Sequence, residues 1–109
     1  MNAPKRGDLA YLTFDPQAGH EQRGRRPGIV LSPQPFNNKT GFAICCPITN
    51  QHKGYPFEVP LPVNRKISGV ILTDQIKSLD WKARQMSVID EAPNDVVQSC
   101  LHLVRTFLE

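Results

Sequence analysis

The chain has 109 residues, enough for one domain with a real core and too few for two. Its 13 Lys and Arg against 10 Asp and Glu leave a formal charge of +3, compatible with a nucleic-acid partner without requiring one. Ten prolines argue against a helical bundle and for short strands between turns, and no apolar run approaches the roughly 20 residues of a membrane helix.

The first six residues lack the apolar centre of a secretory signal, so a cytoplasmic location is expected. Gly7-Asp8 then opens the run Leu9-Ala10-Tyr11-Leu12-Thr13-Phe14, whose Tyr, Thr and Phe favour a strand over 8–14, ended by Asp15-Pro16. A polar segment follows, His20-Glu21-Gln22-Arg23-Gly24-Arg25-Arg26-Pro27, before a second strand over 28–32. Three arginines on a loop held between two strands form a natural anion site, although a solvated basic loop has the same composition. Pro27 biases Arg26 toward an extended backbone, so its side chain leaves the strand mouth in a restricted direction.

Residues 33–41, rich in Pro, Asn and Gly, read as a connection. A third strand is expected over 42–47, where Cys45 and Cys46 must face opposite sides of the sheet. With Cys100 they read as buried, reduced thiols. There is no Cys-x-x-Cys and no His pair at ligand spacing, so neither a metal nor a cofactor is expected. A second polar segment, Thr49-Asn50-Gln51-His52-Lys53-Gly54, leads into a strand over 55–60. Thr49 there has the alternative of bonding its own turn. A strand over 70–72 precedes a third polar group, Thr73-Asp74-Gln75-Ile76-Lys77-Ser78, and a further strand is expected over 84–89. Tyr11, Phe14, Tyr55 and Phe57 are assigned to the core, with stacking platforms as the alternative, and Trp81 to partly exposed packing.

The tail changes period. Val97, Cys100, Leu101, Val104 and Leu108 recur at helical spacing, with Pro93 and Asp95 suited to the first turn. The whole reads as a single domain over 1–109, mainly β with α: a small, partly closed barrel with a C-terminal helix, whose three polar loops can converge on one rim.

Gly7-Asp8-Leu9, Phe14-Asp15-Pro16, Gly19-His20-Glu21-Gln22, Arg26-Pro27, Val30-Leu31-Ser32, Pro47-Ile48-Thr49 and Asp74-Gln75-Ile76-Lys77 stand in an order that resembles the MazF/PemK family. Lys53-Gly54-Tyr55-Pro56-Phe57-Glu58-Val59 is especially similar to its MazF branch. The resemblance runs from Gly7 to about Arg84. It implies a dimer of small, SH3-like (CcdB/MazF-type) partly open barrels with a C-terminal helix, the toxin of a type II toxin–antitoxin system. Such toxins cut single-stranded RNA at short sequences without a metal, leaving 2′,3′-cyclic phosphate and 5′-hydroxyl ends.

By motif, the resemblance makes Arg26 and Thr49 catalytic. It also implies RNA contacts from Glu21, Gln22, Arg23 and Arg25 in the first polar segment, Asn37 in the connection, Lys53 in the second segment, and Asp74, Gln75 and Lys77 in the third. Carboxylates such as Glu21 and Asp74 accept from base amino groups, while Gln75 both donates and accepts; a salt bridge to a nearby arginine is the structural alternative for Glu21. His20 stands where relatives often carry serine, and neither it nor His52, the two candidates for a histidine-type general base, belongs to the family pattern. The implied partners are messenger RNA, an acidic MazE-like antitoxin and a second copy of the chain, with operator DNA reached only through the antitoxin complex and no membrane contact. A CcdB-like, non-catalytic gyrase-binding toxin on the same fold is the alternative, although it lacks the Arg-Pro plus Thr pairing.

Overall fold

The computed structural model describes residues 2–14, 24–63 and 66–109. Seven antiparallel strands form one open sheet: β1 (Asp8–Thr13), β2 (Arg25–Val30), β3 (Phe42–Thr49), β4 (Glu58–Pro60), β5 (Val70–Leu72), β6 (Lys77–Asp80) and β7 (Ser87–Glu91). Their order is β4-β5-β3-β2-β1-β7, with β6 also paired to β3. Among the described residues, two α-helices accompany the sheet, α1 (Gln34–Thr40) and the C-terminal α2 (Asn94–Leu108).

Each face of the sheet carries its own core. Leu9, Ile29, Cys46, Ile48 and Ile71 pack beneath Val96, Val97, Cys100 and Val104 of α2. Ala10, Leu12, Phe14, Val30, Cys45, Leu79, Trp81 and Met86 fill the other side. The period-2 alternation of β3 therefore sends Cys45 and Cys46 into different cores, as the sequence requires. Gly28 allows the close approach between layers: a Cβ there would sit 3.1 Å from both the Cys46 carbonyl oxygen and Phe14 Cζ.

Several expectations are corrected. Residues 33–41 are not a plain connection, because 34–40 form α1, with Pro33 at the N-cap and Gly41 (φ 74°) as a left-handed C-cap. Arg25 and Arg26 belong to β2 rather than to a loop. The strand expected over 84–89 starts later, at Ser87, and β6 emerges from the third polar group. Pro93 caps α2 instead of lying in its first turn, and Leu108 is 71% exposed. Trp81 is buried and donates its indole N–H to the Asn37 carbonyl at 3.0 Å. Tyr11 and Tyr55 are exposed rather than core residues.

β5 and β6 are one strand interrupted. β3 pairs with β5 through Ile48↔Ile71 and with β6 through Cys45↔Lys77, so Pro47 and Cys46 on β3 face the longer segment from Leu72 to Ile76. The surplus residues coil into a 3₁₀ turn over Thr73–Gln75. That turn pushes Asp74 and Gln75 out of the ladder while buried Thr73 anchors it, donating its hydroxyl to the Phe57 carbonyl at 2.6 Å.

Candidate active site

A cleft of about 380 Å³ opens at the end of β3, lined by Thr49, Gln51, Lys53, Tyr55, Glu58, Leu72, Asp74 and Gln75. It gathers the second and third polar segments onto one rim, bringing Thr49, Lys53, Asp74 and Gln75 together. Thr49 is 7% exposed, and its Oγ1 accepts the Gln51 N–H at 3.2 Å. The bond to its own turn thus exists, and it leaves the hydroxyl proton to be donated elsewhere.

Gly69 sets the position of Thr49. Its φ is +121°, and a Cβ there would fall 2.3 Å from the Thr49 carbonyl oxygen. Only glycine lets the chain entering β5 lie against β3 this closely. Nothing in the local sequence pattern flagged Gly69, because the contact joins positions distant along the chain.

Arg26 reaches the same neighbourhood through strand register. It pairs with Leu12 on β1, and β2 meets β3 through Gly28↔Pro47 and Ile29↔Cys46. Continued by two residues, that register sets Arg26 opposite Thr49, which itself pairs with Val70. Residues directly opposite on antiparallel strands share a face. On that continuation half-buried Arg26 and buried Thr49, from separate sequence motifs, fall in one cross-strand row, although Arg26 is not among the residues that line the cleft.

Other predicted contacts fall elsewhere. Arg25 donates to the Gln85 carbonyl at 2.7 Å and the Arg84 carbonyl at 3.5 Å, so its guanidinium ties β2 to the turn before β7. Asn37 is fully buried: its amide donates to the Pro4 and Ser32 carbonyls at 2.9 and 3.0 Å, and its Oδ1 accepts from the Ser32 hydroxyl. With every polar atom of its side chain engaged inside the fold, it does not reach RNA, which corrects the sequence expectation. Lys77 begins β6 opposite Cys45 and is not part of the cleft lining. His20, Glu21, Gln22 and Arg23 lie outside the described residues.

Glu58 was not singled out by the sequence, yet it organises one wall. Its carboxylate accepts the Lys53 and Gly54 N–H groups at 3.2 and 3.0 Å, and His52 Nε2 lies 3.7 Å from Oε1. The clue was present in the spacing, since a carboxylate four or five residues after a turn can reach back to its amides. His52 is thereby held toward Glu58, on a loop residue whose ring is mostly exposed. Among the described residues, no three His, Cys, Asp or Glu side chains come together as a metal site.

Residues 5–108 match the family described as PemK-like, MazF-like toxin of type II toxin–antitoxin system. The chain belongs to this PemK/MazF family. Among MazF relatives, it is 54% identical over 81 residues to the endoribonuclease toxin MazF of Escherichia coli K12, covering 74% of this chain and 72% of that protein. The crystal structure of MazF from Deinococcus radiodurans superposes with a TM-score of 0.95 at 47% identity, covering 99% of this chain and 98% of that one. A MazE–MazF complex from the same organism gives 0.87 at 41% identity, covering 99% and 97%. The MazF fold is the open antiparallel sheet with a C-terminal helix described above. No helix among the described residues is long and apolar enough to cross a membrane.

Proposed function

We propose how this MazF-type endoribonuclease toxin of a toxin–antitoxin system works: it cleaves single-stranded messenger RNA in the cytoplasm by internal attack, with Arg26 and Thr49 as its catalytic residues. The observation that carries the reading is the β2–β3 register, whose continuation beyond Gly28↔Pro47 leads Arg26 toward Thr49, a residue lining the polar cleft. RNA brings its own nucleophile. The 2′-oxygen attacks the adjacent phosphorus, the P–O5′ bond breaks, and the products are a 2′,3′-cyclic phosphate and a 5′-hydroxyl. One proton leaves the 2′-hydroxyl and one reaches O5′, so the step balances without an external oxidant or reductant, and in this reading it proceeds without a metal.

Arg26 supplies a planar, permanently charged fork that matches two phosphoryl oxygens. The Thr49 hydroxyl, already accepting from the Gln51 amide, donates its proton to the same oxygens as charge develops. Asp74 and Gln75, pushed into the cleft by the 3₁₀ turn, read base edges, and Lys53 meets the backbone phosphates. Glu21, Gln22 and Arg23 extend the RNA path. The protein acts as a homodimer and is neutralised by an acidic antitoxin, and it meets operator DNA only within that complex. The MazE–MazF structure of a 41% identical relative supports the antitoxin partner.

The test is product analysis on a long RNA of known sequence. Cleavage is expected to survive EDTA, to leave a 5′-hydroxyl, and to stop when the 2′-hydroxyl at the cut nucleotide is replaced by hydrogen. Arg26→Ala is expected to lose about 3 kcal/mol of transition-state stabilisation, roughly a hundredfold in rate. Arg26→Lys, lacking the fork, should recover only part of it. Thr49→Val should be slow while remaining folded. A 5′-phosphate product, or wild-type turnover in folded Arg26→Ala or Thr49→Val, overturns the mechanism.

A further inference from the structure

Tyr55 presents a puzzle that the mechanism above does not absorb. Its ring is 57% exposed at the wall of the cleft, in a chain whose Phe14 and Trp81 are buried. It contributes little to the core, yet its backbone is braced from several sides. The Glu58 N–H donates to the Tyr55 carbonyl at 3.2 Å, closing a tight turn in which Pro56 restricts the backbone. The Glu58 side chain, 4% exposed, accepts the two amides that precede Tyr55. Phe57, next in the turn, is fixed by two bonds from Thr73 to its carbonyl, at 2.6 and 3.2 Å, and by an edge-on contact between its ring and Phe107 at 5.6 Å.

An exposed aromatic side chain on a braced turn, beside Gln51, Asp74 and Gln75, is an arrangement by which proteins stack a splayed base. We propose that Tyr55 is the stacking platform for a nucleobase of the RNA beside the cleaved phosphate, and that Glu58 is the positioning residue that holds it there. The inference rests on the ribonuclease reading of the cleft. Within it, labour divides by chemistry. The ring face accepts any base and supplies affinity, while the polar edges of Asp74 and Gln75 supply identity.

The probe is a single-stranded oligonucleotide containing a mapped cleavage site, with 2′-hydrogen at the cut nucleotide so that it binds without reacting. Stacking is worth about 1–3 kcal/mol per base, so Tyr55→Ala is expected to weaken binding from about fivefold to about a hundredfold. With the reactive oligonucleotide, KM should rise while kcat and the preferred sequence stay close to wild type, the signature of uniform binding lost. Tyr55→Phe and Tyr55→Trp, which keep a ring face, should bind nearly as wild type. Glu58→Ala should weaken the probe with the ring intact, and Glu58→Gln, which retains an acceptor oxygen, should recover much of the loss. Thermal midpoints check that each variant is folded, and Tyr55→Ala with Glu58→Gln carry the test should Glu58→Ala not fold. A wild-type protein that cleaves RNA while Tyr55→Ala binds unchanged overturns the platform alone, as does Tyr55→Phe being as weak as Tyr55→Ala. Unchanged binding in Glu58→Ala overturns the positioning role. A wild type that neither cleaves nor binds RNA overturns this inference and its parent reading together.

Discussion

Adjacent residues in β3 and β2 meet different fates because strand alternation separates their side chains. Cys45 and Cys46 enter opposite cores, and burial pushes the Cys45 and Cys100 thiols up to about 12. Burial raises Cys46 further, aided by the nearby Cys100, Cys45 and Asp74. These thiols stay protonated in the folded protein where unfolded ones, near their ordinary value of 9.0, ionise. The unfolded chain then binds fewer protons, so their contribution to stability is complete below pH 9 and is lost as pH rises toward 12. Thermal unfolding of wild type and of the Cys45→Ala/Cys100→Ala variant across this alkaline range checks it. The wild-type midpoint should fall more steeply, and parallel curves would refute the linkage. Arg25 and Arg26 show the same alternation: one guanidinium braces a turn, while the other joins the row that contains Thr49.

At the scale of elements, α1 and the break between β5 and β6 do most to build the site. The break converts a regular ladder into a turn that presents Asp74 and Gln75. α1 buries Asn37 at the centre of a network that joins the N-terminal segment, Ser32 and Trp81. The Ser32 hydroxyl extends that network by accepting the Ile44 N–H at 2.8 Å, tying α1 to β3. Leaving such buried groups unsatisfied costs about 1–3 kcal/mol each. Asn37→Ala is therefore expected to lower stability in urea unfolding by at least that amount, while RNA affinity of the folded protein stays unchanged. A stable variant with weakened RNA binding would return Asn37 to the interface.

For the whole molecule, the open sheet leaves one apolar groove of about 300 Å³ lined by Leu31, Phe36, Ile44, Ile76, Leu101, Val104 and Leu108. It explains why Leu108 keeps helical spacing yet remains exposed: the face is apolar, but this chain does not fill it. The charged cleft and this groove differ in chemistry, so partners using them should respond differently to salt. An acidic antitoxin tail competing with RNA for the proposed path over Arg26 and Lys53 should inhibit competitively with RNA and lose affinity as salt screens the encounter. Titrating the antitoxin against RNA cleavage at rising ionic strength checks this. Inhibition that is non-competitive, or indifferent to salt, would move the antitoxin off the RNA path. The Lys53→Ala variant, altered in the cleft lining, adds a second arm, in which both RNA and antitoxin binding should weaken.

The sequence by itself determined what depends on neighbours along the chain. Strand-favouring residues in 8–14 and the apolar run in 42–47 marked β1 and β3, alternation along β3 parted the cysteines, helical spacing marked α2, and the ordered motifs carried the family. Local chemistry also put hydroxyl, amide and charge where the cleft later formed. The α1 helix was missed although Pro33 and Gly41 bracket it, because its Asn-rich interior has weak helix propensity and its burial is purely tertiary. β6 was missed because Leu79 is its one fully buried side chain. Tertiary structure alone decided that Arg26 lies in register with Thr49, that Gly69 presses on the Thr49 carbonyl, and that Asn37 is sealed inside. Strand register and burial are set by packing between segments far apart in sequence, and the chain order of residue types does not encode that distance directly.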